Sequence, residues 1–156
     1  MIILSKLADY GVIIAAHLAG QFERQITAAI LADETRLPRA TVAKVLKALA
    51  HARIVTGARG ASGGYRLARP AAAITVAEVV EAIDGVIGVT QCSIHEPSCE
   101  RTTFCPTRPH WRRINEAVGT ALAAITLAEM LPQDRFLAGA PALATKTTET
   151  AETIAS

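Results

Sequence analysis

Residues 37–70 read LPRATVAKVLKALAHARIVTGARGASGGYRLARP, and this stretch decides the fold. Its first half predicts a helix in which Pro38 takes the first helical position and which runs to about His51. Apolar residues recur within it at the spacing of one helix face. The predicted core face consists of Val42, Val45, Leu46 and Leu49.

The second half of the same stretch predicts a hairpin. Ile54–Thr56 reads as one strand, Gly57–Gly64 as a glycine-rich turn, and Tyr65–Leu67 as the return strand. Pro70 closes the hairpin. Two strands around a basic loop, placed after a pair of helices, have the order of a winged helix-turn-helix. The predicted fold class is therefore mainly α with a small β-hairpin wing.

Two helices are predicted before this stretch, over residues 4–20 and 27–34, with Thr27 as the N-cap of the second. The first could pass for a signal peptide, but Lys6 and Asp9 interrupt its apolar run and the helical spacing continues beyond it. The sequence lacks the roughly 18–20 uninterrupted apolar residues that a membrane span needs. We therefore expect a cytoplasmic protein whose thiols stay reduced.

Two more helices are predicted on the C-terminal side. Thr75 and Glu78 form a capping box for a helix that runs to about Ile83 and ends at Gly85. A long helix then opens at residue 109 or 110. One apolar stripe along it consists of Trp111, Ile114, Val118, Ala121, Leu122 and Ile125.

Charge is unevenly divided along the chain. Residues 1–70 contain ten Lys or Arg and four acidic residues, a net charge of +6, whereas residues 71–156 contain six and ten, a net charge of −4. A basic half joined to an acidic half is expected of a nucleic-acid-binding module with a separate sensing or pairing part. A protein-interaction module that does not bind DNA would not need the basic half.

The basic residues predict how DNA would be read. The N-terminal end of a recognition helix lies against base edges, and Arg39 there suits a guanine. Lys47 and Arg53 suit phosphates, and Arg59 at the hairpin tip suits a minor groove or the backbone. The alternative for any one of these residues is an ordinary solvated charge. The predicted DNA-binding residues are Arg39, Ala40, Thr41, Lys44, Lys47, Arg59, Ser62 and Tyr65.

The three cysteines of the chain, Cys92, Cys99 and Cys105, lie in one loop, QCSIHEPSCERTTFCPTRPHW (91–111). Clustered thiols in a chain without a secretion signal indicate a metal or an iron–sulfur cluster. Two alternatives are structural zinc, with His95 or His110 as fourth ligand, and a thiol–disulfide switch. An enzyme is not indicated, because there is no nucleophile–base pair at a known spacing, no phosphate-cradling loop and no C-x-x-C pair.

The order of these segments is similar to that of the iron–sulfur-cluster winged-helix transcriptional regulators, the IscR- and NsrR-like family. The resemblance covers about residues 2–131 and looks most like the branch that regulates SUF cluster assembly. The segments that carry it are LSKLADYG (4–11), LPRATVAKVLKAL (37–49), RGASGGYRLARP (59–70), ITVAEVVEAIDG (74–85), the three-cysteine loop and HWRRINEA (110–117).

The resemblance implies a homodimer in which the long C-terminal helix crosses between the protomers. The cysteines would hold one cluster per protomer, [4Fe–4S] or [2Fe–2S]. Cluster state would control the affinity for a pseudo-palindromic operator, as in a repressor of SUF genes that senses iron–sulfur status, redox state or nitric oxide.

The fourth cluster ligand departs from one family pattern. IscR-like members have a histidine three residues after the last cysteine, where this chain has Arg108, which cannot ligate iron while protonated. NsrR-like members use an acidic residue of the first helix, donated by the other protomer, and Asp9 occupies that place. A carboxylate in an otherwise apolar helix is costly unless it pairs, ligates or is exposed. The alternatives to Asp9 are His110, His95 and an exogenous or absent ligand.

The predicted elements and the resemblance divide the chain into four parts. Residues 1–84 are expected to form the winged helix-turn-helix DNA-binding domain and 85–108 the cysteine-rich cluster-binding loop. Residues 109–131 are expected to form the dimerisation helix, and 132–156 a disordered tail.

Overall fold

A computed structural model describes residues 4–21, 24–60, 63–90 and 104–131 of the protein. The helices and strands that it contains follow the predicted order, and the predicted fold class is confirmed. In chain order they are α1 (Lys6–Ala19), α2 (Ala28–Thr35), α3 (Arg39–His51), β1 (Val55–Ala58), β2 (Gly64–Leu67), a short 3₁₀ turn (Ala71–Ala73), α4 (Val76–Asp84) and α5 (Arg108–Ala123).

Local capping explains where the first two helices begin, and a proline precedes the third. The hydroxyl of Ser5 accepts the Ala8 N–H at 3.0 Å, and the hydroxyl of Thr27 accepts the Ile30 N–H at 3.3 Å, as the N-cap prediction requires. Pro38 was predicted as the first residue of α3 but is its N-cap, with an extended ψ of 135°. The helix therefore begins one residue later than predicted.

The wing is a two-stranded antiparallel hairpin anchored to the chain before α2. Its register runs from Val55 opposite Leu67 to Ala58 opposite Gly64. Ile26 adds a bridge to the outer side of β2, because its N–H donates to the Tyr65 carbonyl at 3.0 Å and its carbonyl accepts the Tyr65 N–H at 2.8 Å. This third backbone segment fixes the hairpin base against the helix-turn-helix.

The core lies between α1, α3, α4 and the base of the wing. All four residues of the predicted α3 core face are fully buried. They pack in one cluster with apolar residues of α1, α2, α4 and the strands. The largest fully buried side chains outside α3 are Ile14, Leu18, Ile26, Leu31, Ile54, Leu67, Ile74 and Leu127.

The chain returns to this core after α5. The helix ends at Ala123, before the limit of 131 expected for the dimerisation helix. The backbone then pairs with the start of α4, because the Val76 N–H donates to Ile125 and the Leu127 N–H donates to Ile74, both at 2.9 Å. Leu127 is fully buried, so α5 is tied at its C-terminal end to the winged-helix body.

Among the described residues, no helix is long and apolar enough to cross a membrane.

Candidate nucleic-acid interface

The predicted reading face of α3 is exposed. Arg39, Ala40, Lys44 and Lys47 are all exposed, and Thr41 is half-buried beside them. This division follows from helix periodicity, because the apolar positions of α3 take the core side and leave the basic ones outside. The structure thus places five of the predicted residues on one solvent-facing helix surface.

One acidic side chain lies close to this surface. Arg39 Nη2 is 3.8 Å from Asp33 Oδ1 on α2, and the two side chains are 73% and 71% exposed. An exposed pair at this separation contributes little to stability. Arg39 is therefore available to an external partner. Sequence reasoning did not find Asp33, because the pairing depends on how the turn between α2 and α3 brings the two helices together.

The wing presents a second exposed cationic site. Arg59 and Gly60 lie exposed at the described edge of its tip, whereas Ser62 lies outside the described residues. Tyr65 is half-buried, and its ring covers Gly57, where an added Cβ would lie 3.1 Å from Tyr65 Cε1. The ring therefore stiffens the hairpin as well as lining its surface.

A groove of about 340 Å³ separates the wing from the start of α2. Thr27 and Ala28 line one side, and residues of both wing strands line the other. Free N–H groups at a helix start and a neighbouring arginine favour an anion such as a backbone phosphate. The groove thus lies between the wing, a predicted DNA-contacting element, and the start of α2.

Arg69, one of the ten basic residues of the first half, does not face an external partner. It donates to the Ala73 carbonyl at 2.9 Å and to Glu78 Oε1 at 2.6 Å. Glu78 Oε2 accepts the Thr75 N–H at 2.9 Å, which completes the predicted capping box. Partial burial acts to raise the pKa of the Glu78 carboxyl, but the hydrogen bonds from Thr75 and Arg69, with the Arg69 charge, hold it below its usual range.

The predicted cluster ligands are only partly within the described residues. Cys92, Cys99 and His95 lie outside them. Cys105 is half-buried just before α5, with its Sγ 3.2 Å from the Thr107 hydroxyl, and His110 is exposed on the first turn of α5. Among the residues that are described, no group of three or more His, Cys, Asp or Glu side chains is gathered as in a metal site.

Asp9 is exposed on α1. An ion pair between Asp9 and Lys6, which lies one turn before it, is not among the ion pairs that the described residues form. On the same side of α1, His17 Nε2 lies 2.6 Å from Glu34 Oε2 of α2. The exposed location explains how an apolar helix tolerates the Asp9 carboxylate, and it leaves that carboxylate accessible from outside the protomer.

Two hydrogen bonds hold the segment that leads into the cysteine loop, and sequence reasoning missed both. The Ser5 hydroxyl donates to Asp84 at 2.6 Å at the end of α4. The Val89 N–H donates to the Asn115 side-chain carbonyl on α5 at 3.0 Å. A signal for the second was present, because Asn115 lies one turn after Trp111 and interrupts the apolar stripe.

Comparison with known proteins supports the reading of this surface. The family model described as "Rrf2: Iron-dependent Transcriptional regulator" matches residues 4–133. The chain is 36% identical over 84 residues to the HTH-type transcriptional regulator IscR of Xenorhabdus nematophila. These aligned residues make up 54% of this chain and 51% of that protein. The chain is 34% identical over 88 residues to protein rrf2 of Nitratidesulfovibrio vulgaris. These aligned residues make up 56% of this chain and 59% of that protein.

The chain thus spans little more than half the length of these curated relatives. Solved structures match over more of it. CymR, the global cysteine regulator of B. subtilis, is similar with a TM-score of 0.67 and 27% identity over 83% of this chain and 96% of CymR. IscR of T. potens is similar with a TM-score of 0.67 and 25% identity over 90% of this chain and 94% of that chain.

Proposed function

The chain belongs to the Rrf2 family of winged-helix transcriptional regulators, and we propose that it is a homodimeric, DNA-binding repressor controlled by an iron–sulfur cluster. The single observation that carries DNA binding is the exposed basic surface of α3 beside the wing. The proposed targets are genes of SUF cluster assembly, and the proposed signal is iron–sulfur status, redox state or nitric oxide.

Each predicted DNA-binding residue has a proposed role at the DNA. Arg39 reads a base edge at the start of α3, with Ala40, Thr41 and Lys44 beside it in the major groove. Lys47 contacts a phosphate, and the wing residues Arg59, Ser62 and Tyr65 contact the neighbouring backbone or minor groove. The groove between the wing and the start of α2 supports the backbone contact of the wing, since a phosphate placed there would lie beside Arg59.

The cluster proposal is supported by the three-cysteine loop and by the iron-dependent description of the family. Cys92, Cys99 and Cys105 would hold the cluster, with Asp9 of the other protomer as fourth ligand and His110 as the alternative. The exposure of Asp9 supports donation across a dimer. When bound, the cluster supplies a centre whose charge and ligation change with oxidation.

The dimer proposal is supported by α5. None of the described α5 residues is buried, although Trp111 and Ile114 lie on one apolar stripe. A second copy of α5 would cover the Trp111 and Ile114 part of this stripe, as an unpartnered apolar face of this kind favours association. We also propose residues 1–84 as the DNA-binding domain, 85–108 as the cluster loop and 109–131 as the dimerisation segment. The predicted tail, 132–156, lies outside the described residues.

Anaerobic purification followed by visible absorption and iron, sulfide and zinc analysis tests the cofactor. The proposal predicts coloured protein with iron and acid-labile sulfide in comparable amounts. Colourless protein with stoichiometric zinc, before and after anaerobic cluster reconstitution, would contradict it and support a structural site.

A thiol–disulfide switch is the second candidate. It is favoured by the half-buried Cys105 thiol and by the likeness to CymR, which is named as a global cysteine regulator. This mechanism predicts DNA binding that responds to peroxide and dithiothreitol in protein free of iron. Reversible loss of binding under those conditions, with no iron bound before or after reconstitution, would select the thiol switch over the cluster.

A further inference from the structure

Two arginines take a backbone conformation that normally favours glycine. Among the described residues, Arg36 with φ of 56° and Arg53 with φ of 59° are the non-glycine residues with positive φ. The left-handed region is unfavourable for a residue with a Cβ, and helices usually place glycine there. Both arginines flank the same element, because Arg36 precedes α3 and Arg53 follows it.

The fold requires the backbone shape at both positions. Arg36 is the C-cap of α2, and the next N–H, that of Leu37, donates back to the Ala32 carbonyl at 3.1 Å. After Arg53, the Ile54 N–H donates back to Leu49 at 2.9 Å, which turns the chain from α3 into the wing. Neither turn can relax without moving buried neighbours.

The fold does not use the two side chains. Both arginines are exposed. Within the described parts of the chain, the hydrogen bonds and ion pairs of side chains do not include either guanidinium. Glycine would therefore allow both turns with a smaller conformational penalty. Among the described residues, no contact of either side chain accounts for arginine at these positions. Strained positions of this kind point to a use outside the protomer.

The spacing of the pair suits DNA. The 13 residues of α3 place its ends about 20 Å apart at 1.5 Å per residue. The major groove that receives such a helix is about 12 Å wide and is bordered by a phosphate backbone on each side. Long cationic side chains at both helix ends can reach both borders, while Arg39 and Lys44 face the groove between them.

We propose that Arg36 and Arg53 bind backbone phosphates and brace the two ends of α3 against opposite borders of the major groove. This inference rests on the proposed DNA binding; it adds Arg36 as a contact and gives a structural reason for the phosphate contact that the sequence predicted for Arg53. At each turn, arginine makes the folded backbone less stable than glycine would, but its side chain can contact a phosphate. Binding and stability should therefore respond in opposite directions when either is replaced by glycine.

The variants Arg36→Gly and Arg53→Gly test this with DNA that the wild-type protein selects from a random pool. Each should lower the affinity by about eightfold at 0.1 M salt and reduce the slope of log affinity against log salt by about one. Each should also raise the melting temperature of the DNA-free protein by about 2–4 °C. Arg36→Lys and Arg53→Lys, which keep charge and backbone penalty, should retain the salt slope and the wild-type melting temperature.

Different results would overturn the proposed DNA binding and the proposed role of the two arginines. Wild-type protein that selects no DNA sequence and shows no salt-dependent binding would overturn the proposed function itself. Wild-type binding with an unchanged affinity and salt slope in either glycine variant would overturn the bracing role alone. A lower melting temperature in a glycine variant, or lysine variants as weak as the glycine ones, would also overturn the inference.

Discussion

Arg69 shows that charge alone does not predict what a basic residue contacts. The sequence predicted the Thr75–Glu78 capping box, because its spacing is local, and the structure contains both of its hydrogen bonds. It did not predict that Arg69 joins that box, since the two partners are nine residues apart on different elements. The same limit applies to Asp33 beside Arg39. Local spacing predicts caps and faces, whereas cross-element pairs depend on the assembled fold.

Glu78→Gln should make the contribution of the hydrogen bonds among Arg69, Thr75 and residue 78 to folding stability insensitive to pH. The carboxylate pKa is lowered in the folded state, so its stabilisation is present above the ordinary glutamate pKa of about 4.3 and is lost as the pH falls through the lowered value. The variant should cost up to about 1 kcal/mol at pH 7, a small amount because both side chains of the pair are more than a third exposed.

Urea unfolding of both proteins from pH 7 to pH 3, at one protein concentration, measures this difference. The gap between wild type and variant should close toward pH 3. A gap that stays constant or widens in acid would show that the charge of Glu78 does not act as inferred.

Arg39→Ala should relax base preference at one position of each half-site and weaken binding by about 1–3 kcal/mol, because a bidentate base contact is lost. Lys47→Ala is the matched control, since a lost phosphate contact weakens binding about equally on all sequences. Sequence selection from random DNA with both variants measures this. If Arg39→Ala keeps the wild-type preference, Arg39 contacts a phosphate and not a base.

Most helices and both strands could be predicted because their signals are local. The α3 core face and the Thr27 cap reproduce in the structure. The hairpin lies where it was predicted, but its strands include Gly57, Ala58 and Gly64, which were predicted as turn. The end of α5 could not be predicted. Apolar spacing continues to Ile125, but the helix stops at Ala123 because the following backbone pairs with Ile74 and Val76, far away in sequence. A tertiary contact, and not a local stop signal, ends this helix.

Gly64→Ala should loosen the wing. An added Cβ would lie 2.8–3.0 Å from the backbone of Ile26, and backbone atoms cannot move aside without breaking the bridge to Tyr65. We expect a loss of about 1–3 kcal/mol in stability and weaker DNA binding. Gly119→Ala is the control, because a Cβ there meets no atom within 4 Å. Thermal unfolding of both variants checks this, and equal melting temperatures would show that the close approach is not limiting.

Across the whole molecule, the winged-helix body buries its own apolar core, whereas α5 leaves part of its apolar stripe exposed. Its C-terminal end is tied to the core through Leu127, and Leu122 packs beside Val76 and Val80. The Trp111 side of the helix has no comparable cover among the described residues. The sequence predicted this stripe, but its periodicity does not indicate whether the stripe packs against its own chain or against a second copy.

Ile114→Glu should therefore weaken the proposed dimer by at least about 30-fold, corresponding to about 2 kcal/mol, because a carboxylate would be buried without a partner. Thr120→Glu introduces the same residue on the opposite, exposed side of α5 and should leave the dimer intact. Sedimentation over a range of concentrations distinguishes the two. An Ile114→Glu protein that dimerises like wild type would place the interface elsewhere.

In the proposed mechanism, the cluster held by the cysteine loop controls the affinity of the α3 and wing surface for DNA. Anaerobic DNA binding by one preparation, before and after removal of its cluster, tests this most directly, with the Cys92→Ser, Cys99→Ser, Cys105→Ser triple variant as the control. The affinity for selected operator DNA should differ by about tenfold or more between loaded and stripped protein, as in typical coupling between sites. The triple variant should match the stripped protein. Equal affinities for loaded and stripped protein would contradict the account.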